Sequence, residues 1–161
     1  MQTYIKTSLS IFLVLAASRF IPHPPNFTSL LALSFYVPAL LGLRYIPALL
    51  ICFAITDVVI GYHSGTFFTW GSVFTIGIFS IYFSNNLLSR VSGALLGAVM
   101  FFVITNFGVW TSGMYGYSFS GLVSCYILAI PFFAYSLIST IVFSFLIEIG
   151  FKLYETKSIK L

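Results

Sequence analysis

The chain has 161 residues, of which 60% are hydrophobic and only 6% are charged, and its formal net charge is +4. Soluble domains carry about 25% charged residues, so this composition excludes a largely water-facing surface and makes the lipid bilayer the solvent. It predicts an all-α, polytopic membrane protein, with residues 1–161 forming a single integral membrane domain. The basic residues are isolated at the ends of apolar runs, which does not predict a nucleic-acid partner.

Six apolar stretches are long enough to be membrane spans, because a hydrocarbon core of about 30 Å needs about 20 helical residues. A signal peptide is the alternative for the first stretch, but Arg19 directly after "LAAS" favours a retained helix. The last apolar region is too long for one span. Residues 106–130 are therefore interpreted as an outer connection with an apolar interfacial helix of its own, acting as a lid, an aromatic belt or both. The predicted spans cover residues 4–21, 27–43, 45–62, 66–84, 91–110 and 131–151.

The basic residues predict the orientation of the protein. Six spans place both termini on one side of the membrane, together with almost every Lys and Arg of the chain, whereas Arg19 alone lies on the other side. Cytoplasmic loops carry the excess of basic residues, so both termini are predicted to be cytoplasmic in the plasma (inner) membrane. The residues on the cytoplasmic side are Lys6, Arg44, Arg90, Lys152, Lys157 and Lys160.

Counting residues from the inner boundary predicts that Arg19 and Asp57 lie at the same depth. Arg19 is 13 residues beyond Lys6, and Asp57 is 13 residues beyond Arg44. At 1.5 Å per residue, both stand about 20 Å above the boundary. An unpaired charge at that depth is costly, so we expect both side chains to face one interior space. A structural clasp between them with nothing bound is the plain alternative.

Five more side chains are candidates for the same site, because all of them fall on the outer side of the predicted bundle. The prolines of "SRFIPHPPNF" end the first helix and are expected to hold the first outer loop over the mouth of a cavity. The second outer loop contains "GYHSG", and the fifth span ends in "NFGVW". The candidates are His23, Asn26, His63, Asn106 and Trp110.

These residue types predict the binding of a small molecule. Arg19 is suited to a carboxylate or phosphate, Trp110 to stacking on a ring, and Asn26 and Asn106 to orienting hydrogen bonds. An imidazole of His23 or His63 is suited to cobalt if the ligand is a corrinoid. The sequence predicts no resident cofactor and no metal site, since the two cysteines lack metal-ligand spacing and are interpreted as buried packing residues.

Three classes of function remain open at this stage. The leading one is a substrate-binding membrane transport protein that takes a water-soluble compound from the outer side. A structural or assembly subunit of a larger membrane complex is the alternative, and it needs no converging polar cavity. An enzyme is not predicted, because no nucleophile–base pairing or HExxH motif is present. "GALLG" at residues 93–97 is interpreted as a close-packing face within the chain rather than a dimer face.

The stretch "PHPPNFTSLLALSFYVPALLGLRYIPALLICFAITDVVIGYH" is similar to a pattern in the S-components of energy-coupling-factor (ECF) vitamin transporters. More closely, "SRFIPHPPNFTSLLAL", "TDVVIGYH", "NFGVW" and "GLVSCYILAIPFF" resemble the DUF6580 family of transport proteins, in order and across nearly the whole chain. The resemblance implies six helices, uptake of a vitamin or similar compound, and binding residues at the seven positions named above. It also implies a separate energising module of transmembrane and ATPase subunits, since the chain has no ATP-binding loop. S-components often carry an Ala-xxx-Ala pair on the first helix, whereas Ala16 is followed by Phe20 here, which leaves a solitary protein as the alternative.

Overall fold

The computed structural model describes the backbone of residues 2–158 and the side chains of residues 2–153. Lys160 therefore lies outside the described residues, as does the side chain of Lys157. No strand occurs in the described part of the chain, so the predicted all-α fold is confirmed. Its helices are α1 (Gln2–Phe20), α2 (Leu30–Leu41), α3 (Ile46–Ile60), α4 (Thr66–Phe79), α5 (Leu87–Thr111) and α6 (Phe119–Ser158), with 3₁₀ turns at Leu43–Tyr45 and Ser80–Phe83.

Four helical segments are long and apolar enough to cross a membrane: Leu43–Ile60, Thr66–Phe83, Leu87–Thr111 and Phe119–Leu153. They correspond to the third to sixth predicted spans. Helix α1 has 19 residues but is not among the four, and it carries Lys6 and Arg19 near its two ends. Helix α2 is apolar but has only 12 residues, or about 18 Å, which is less than the hydrocarbon core of about 30 Å.

Helix α2 lies at the centre of the bundle. Every residue from Leu30 to Pro38 is buried, and α2 packs against all five other helices. A helix that is apolar on all sides is suited to this buried position. It ends at Gly42, whose φ of 97° is in the region that glycine tolerates and whose N–H donates to the carbonyl of Pro38.

The segment between α1 and α2 is non-helical, as the prolines predict: α1 ends at Phe20, and residues 21–26 are exposed. The predicted second span begins at residue 27, whereas α2 begins at Leu30. The Ser18 hydroxyl accepts the backbone N–H of Ser29 at 3.1 Å and so holds the start of α2 against α1. Further along, the carbonyl of Asn26 accepts a hydrogen bond from Ser139 of α6 at 3.4 Å. Residues 21–29 are thus non-helical backbone that is bonded to α1 through Ser29 and to α6 through Asn26.

The predicted outer connection at residues 106–130 is wrong, and no separate interfacial helix occurs there. Helix α5 continues to Thr111, and α6 begins at Phe119 after a short turn with positive φ at Gly113 and Gly116. Helix α6 then continues through Pro131, which the sequence analysis took as the start of the sixth span. Proline is tolerated inside transmembrane helices because neighbouring groups satisfy the backbone carbonyl that it leaves free.

The glycines of α5 pack against neighbouring helices of the same chain, as predicted for "GALLG". A Cβ added at Gly93 would lie 2.6 Å from the ring of Phe35 in α2, and one at Gly97 would lie 3.0 Å from Ile76 in α4. Glycine at these positions lets the helices approach closely. Helix α5 is therefore fixed between α2 and α4, and it also packs against α6.

Candidate functional site

Arg19 and Asp57 form an ion pair, which confirms the prediction that the two side chains face one interior space. The distance from Arg19 Nη2 to Asp57 Oδ1 is 2.7 Å, and the side chains are 14% and 8% exposed. Arg19 lies in the last turn of α1, and Asp57 lies one turn before the end of α3. The pair connects α1 and α3 at the same end of the two helices. Because Arg19 and Asp57 are equally far from the basic residues at the other end, the two side chains lie at equal depth.

Three residues that contact this ion pair were not found from the sequence. Arg19 Nη1 donates to the hydroxyl of Thr56 and, at 3.5 Å, to the carbonyl of Phe53, and the guanidinium lies 4.6 Å from the centre of the Phe53 ring. Trp70 of α4 donates from Nε1 to Asp57 Oδ2 at 2.7 Å. Thr56 directly precedes Asp57 in "TD", and this neighbouring position is the sequence feature that could have indicated it. Trp70 gave no signal, since a tryptophan near a span end is typical of a membrane interface.

The ion pair forms part of the wall of a cavity of about 500 Å³. All six helices contribute to this wall, together with residues from the segment between α1 and α2 and the turn between α3 and α4. One part of the wall is polar and another part is aromatic. Six of the seven predicted site residues line the cavity: Arg19, His23, Asn26, Asp57, His63 and Asn106. The aromatic part consists of Phe53, Phe101, Phe102, Phe132 and Phe133.

Trp110, the seventh predicted residue, is not among those that line the cavity. Its ring packs between Phe107 at 5.6 Å and Tyr117 at 6.4 Å between ring centres. Its buried Nε1 has no hydrogen-bond partner among the described residues. The aromatic surface of the cavity comes from phenylalanines instead. The sequence did not single these out, because 19 phenylalanines are spread along the chain and only their helix faces distinguish them.

The hydrogen bonds of His63 fix which ring nitrogen carries the proton. The backbone N–H of Gly65 donates to His63 Nδ1 at 3.1 Å, so Nδ1 is an acceptor and the neutral ring carries its proton on Nε2. The backbone N–H of His63 itself donates to the hydroxyl of Thr66 at 3.0 Å, which fixes the turn that starts α4. His63 therefore offers a donor from Nε2. Metal binding through Nε2 requires the opposite tautomer, so the arrangement disfavours a role for His63 as a cobalt ligand.

Asn106 offers an acceptor to the cavity. Its Nδ2 donates to the carbonyl of Phe102, one turn earlier in α5, at 2.7 Å. No described residue donates to its Oδ1, which leaves that oxygen for a ligand or water. The backbone carbonyl of Asn106 accepts from the thiol of Cys125 at 3.3 Å, so α6 supports this turn of α5.

His23 and Asn26 lie on the non-helical segment and are exposed. His23 Nδ1 donates to the carbonyl of Pro24 at 2.7 Å, which leaves Nε2 near the carbonyl of Arg19 at 3.4 Å. Asn26 has a positive φ of 63°, which asparagine tolerates better than most residues. Both residues line the cavity, and the carbonyl of Asn26 accepts a hydrogen bond from Ser139 of α6.

A second ion pair lies toward the opposite end of the bundle and was not predicted. Arg90 of α5 binds Glu148 of α6 with two hydrogen bonds, from Nε to Oε1 at 2.6 Å and from Nη2 to Oε2 at 2.7 Å. The side chains are 14% and 10% exposed. Arg90 also donates to the carbonyl of Ser84 at 3.2 Å, which connects the pair to the end of α4 and its 3₁₀ turn. Neither residue lines the cavity, so this pair acts as a connection between helices.

The residue types of the cavity are suited to binding rather than to holding a metal. Within the described part of the chain, no three His, Cys, Asp or Glu side chains are arranged to hold a metal ion. The cavity wall offers hydrogen-bonding groups, aromatic rings and one cation paired with one anion. Mostly apolar walls with a few placed polar groups are typical of small-molecule sites.

The fold and this cavity define a class, namely an all-helical protein with four helices long and apolar enough to cross a membrane and with an internal cavity of about 500 Å³. The chain belongs to DUF6580, a family of unknown function, whose model matches residues 1–161. No curated protein matches the sequence, and no solved structure matches it. The resemblance to S-components therefore gains no support from these comparisons, and the family gives no activity.

Proposed function

We propose that the protein is a substrate-binding membrane transport protein that takes a small water-soluble compound, such as a vitamin, from the outer side of the plasma membrane. The observation that carries this proposal is the cavity of about 500 Å³ with the buried Arg19–Asp57 pair in its wall. Intramembrane ionisable residues are costly and mark substrate pathways in membrane proteins. A cavity of this size is within the range of about 300–1,000 Å³ that is typical of small-molecule sites.

The non-helical segment at residues 21–29 also supports a binding role. Irregular backbone at membrane depth is tolerated where it is buried in protein or lines a water-filled cavity, because its polar groups need partners. Here the carbonyl of Asn26 is bonded to Ser139, and the side chains of His23, Asn26 and Thr28 line the cavity. Transporters often build their substrate sites from interrupted helices of this kind.

Six spans, with both termini in the cytoplasm, belong to this proposal. The short α2 and residues 21–29 would together make one crossing, and α1 would make another. Tyr4 donates from its hydroxyl to the carbonyl of Arg44 at 3.3 Å, so the start of α1 lies beside the turn between α2 and α3. The Arg90–Glu148 pair likewise joins the start of α5 to the last part of α6. Most basic residues thus lie at the end of the bundle opposite to Arg19. The positive-inside rule assigns that end to the cytoplasm.

The proposal allows two arrangements for the energy source of transport. The chain has no ATP-binding loop, so an S-component-like protein would need a separate module of transmembrane and ATPase subunits. A solitary transporter would need none. The alternative function, a structural or assembly subunit, requires no ligand in the cavity.

Ligand-dependent thermal stability of the purified protein in detergent tests the proposal. A compound that binds only the folded state raises its melting temperature by mass action. We expect at least one compound from a panel of vitamins and their precursors to stabilise the wild type. The variant Asn106→Ala should weaken this shift, whereas Thr75→Ala, on an exposed face of α4 outside the cavity, should keep it.

Uptake of the same compound into proteoliposomes separates transport from binding. Concentration-dependent stabilisation together with uptake supports a transport protein. If no compound of the panel stabilises the wild type and none is taken up, the structural-subunit alternative is favoured.

A further inference from the structure

We propose that the compound bound in this cavity is electrically neutral and contains an aromatic ring, and that the site discriminates against anions. This inference rests on the proposed function and names the chemical class of its substrate. It differs from the prediction that Arg19 binds a carboxylate or phosphate. The reason is that Arg19 and Asp57 are the only Lys, Arg, Asp or Glu residues in the cavity wall, and they neutralise each other.

The guanidinium of Arg19 is already occupied in part by protein groups. Nη2 binds the Asp57 carboxylate at 2.7 Å, and Nη1 donates to the Thr56 hydroxyl. One face of the guanidinium lies over the Phe53 ring. To bind a substrate anion with both nitrogens, Arg19 would have to leave Asp57. That would leave a buried carboxylate without its cation, which is strongly destabilising.

The carboxylate of Asp57 is also satisfied on both sides. Oδ1 accepts from Arg19, and Oδ2 accepts from Trp70 at 2.7 Å. A cationic substrate would therefore have to displace Arg19 or Trp70 to reach a carboxylate oxygen in these positions. An ion brought into a cavity with no counter-charge loses hydration that the wall does not replace, and so either sign of net charge is disfavoured.

The remaining polar groups match an uncharged polar edge. His63 presents an N–H donor from Nε2, as fixed by the Gly65 hydrogen bond, and Asn106 presents its Oδ1 as an acceptor. A carboxamide, a hydroxymethyl group or a ring lactam has both a donor and an acceptor. A carboxylate or phosphate has acceptors only at neutral pH, so it cannot donate a hydrogen bond to Asn106 Oδ1.

The aromatic part of the wall is suited to a flat ring. Phe102 and Phe133 pack at 4.5 Å between ring centres with an angle of 31° between their planes, which makes a continuous apolar surface on α5 and α6. Phe101 and Phe132 extend this surface on the same two helices. Aromatic rings prefer offset stacking or edge-to-face contact with such a surface, at a gain of about 0.5–1.5 kcal/mol for each pair beyond the area that is buried.

The volume and the histidine tautomer together exclude a corrinoid from this class. A corrinoid exceeds the drug-sized compounds that cavities of about 500 Å³ enclose. His63 Nε2 carries a proton in the arrangement observed, so it is not free to bind cobalt. The ring compound that fits is therefore small, comparable to a single heterocycle or a fused pair of rings with a short polar chain.

Matched pairs of compounds that share a ring and differ in charge test this inference. Suitable pairs are nicotinamide with nicotinate, pyridoxine with its 5′-phosphate, and riboflavin with its 5′-phosphate. Dissociation constants are measured for the full-length protein in detergent at pH 7.5 by calorimetry and thermal shift. In at least one pair we expect the neutral member to bind at least tenfold more tightly than the anionic member.

Charge variants provide the control. Asp57→Asn removes the anion that holds Arg19, so we expect it to gain affinity for the anionic member of the same pair by at least tenfold. The double variant Arg19→Gln/Asp57→Asn has no charge on this pair and should again prefer the neutral member. If Asp57→Asn does not fold, the comparison between wild type and the double variant still shows whether a wall without net charge is sufficient for the preference for the neutral member of a pair.

The outcomes separate this inference from the proposed function. If the wild type binds the anionic members more tightly, the inference is wrong, although a substrate-binding protein remains supported. The same conclusion follows if a corrinoid is the compound that binds. If no compound of either charge binds the wild type or the variants, the proposed function is contradicted and the inference with it.

Discussion

Trp70 donates from its indole nitrogen to Asp57 Oδ2 at 2.7 Å, on the oxygen that Arg19 leaves free. This hydrogen bond connects α4 to the ion pair between α1 and α3. Three helices therefore meet at one carboxylate, and this part of the cavity wall belongs to a connected network of polar groups. The polar groups of the network are bonded to one another, and a buried network of this kind is rigid when all of its members are satisfied.

We expect Trp70→Phe to destabilise the protein by about 1–3 kcal/mol, because it leaves Asp57 Oδ2 without a donor. Trp110→Phe is the matched control, since the Nε1 of Trp110 has no hydrogen-bond partner among the described residues. Both substitutions remove the same atoms, so the loss of packing is similar. The measurement is the free energy of unfolding by denaturant in detergent. Equal effects of the two substitutions would show that the Trp70 hydrogen bond contributes nothing.

The Arg19–Asp57 pair was predictable because depth along a straight helix is a one-dimensional quantity. Each residue is 13 positions from a basic residue near the start of its helix, and counting alone places the two at one height. The partner Trp70 was not predictable in this way. Its contact depends on how α4 is rotated about its own axis, and the sequence of α4 is apolar on most sides.

The start of α2 was misplaced for a related reason. Residues 27–43 are apolar enough to be a span, and composition does not distinguish a helix that starts at residue 27 from one that starts at Leu30. The start of α2 depends on Ser18, a residue of another helix that accepts the N–H of Ser29. Pro131 gave the opposite error, because a proline can end a helix or lie within one, and neighbouring helices decide which.

Glu148→Gln should destabilise the bundle without changing the selectivity of the cavity. Loss of one partner from a buried ion pair costs about 3–5 kcal/mol, and the Arg90–Glu148 pair is largely buried. The double variant Arg90→Gln/Glu148→Gln should recover part of this loss, since it buries no uncompensated charge. Denaturant unfolding gives the stabilities, and the nicotinamide and nicotinate dissociation constants give the selectivity. A changed preference between these two compounds in Glu148→Gln would contradict a purely structural role for the pair.

Gly108→Ala should destabilise the protein by about 1–3 kcal/mol through overpacking. A Cβ at this position would lie 2.4 Å from the ring of Phe68 in α4, close to the outer part of the cavity. Gly150→Ala in α6 is the control, because nothing lies within 4 Å of its added Cβ. Alanine is the better helix former by about 1 kcal/mol, so that control should be neutral or stabilising. Denaturant unfolding of both variants gives the comparison, and a stabilising Gly108→Ala would mean that α4 and α5 are not in close contact there.

The orientation of the protein can be tested by labelling single introduced cysteines with a membrane-impermeant maleimide on intact cells. Cys52 and Cys125 are buried, so the unmodified protein serves as the background control. Ser64→Cys lies between α3 and α4, and Ser112→Cys follows α5, both at the end of the bundle that contains the Arg19–Asp57 pair. Asn85→Cys lies before α5, at the end that contains the Arg90–Glu148 pair. We expect Ser64→Cys and Ser112→Cys to be labelled directly, and Asn85→Cys only after the membrane is permeabilised. The reverse pattern would place the His63 end of the cavity toward the cytoplasm, and a substrate would then enter the site from inside the cell.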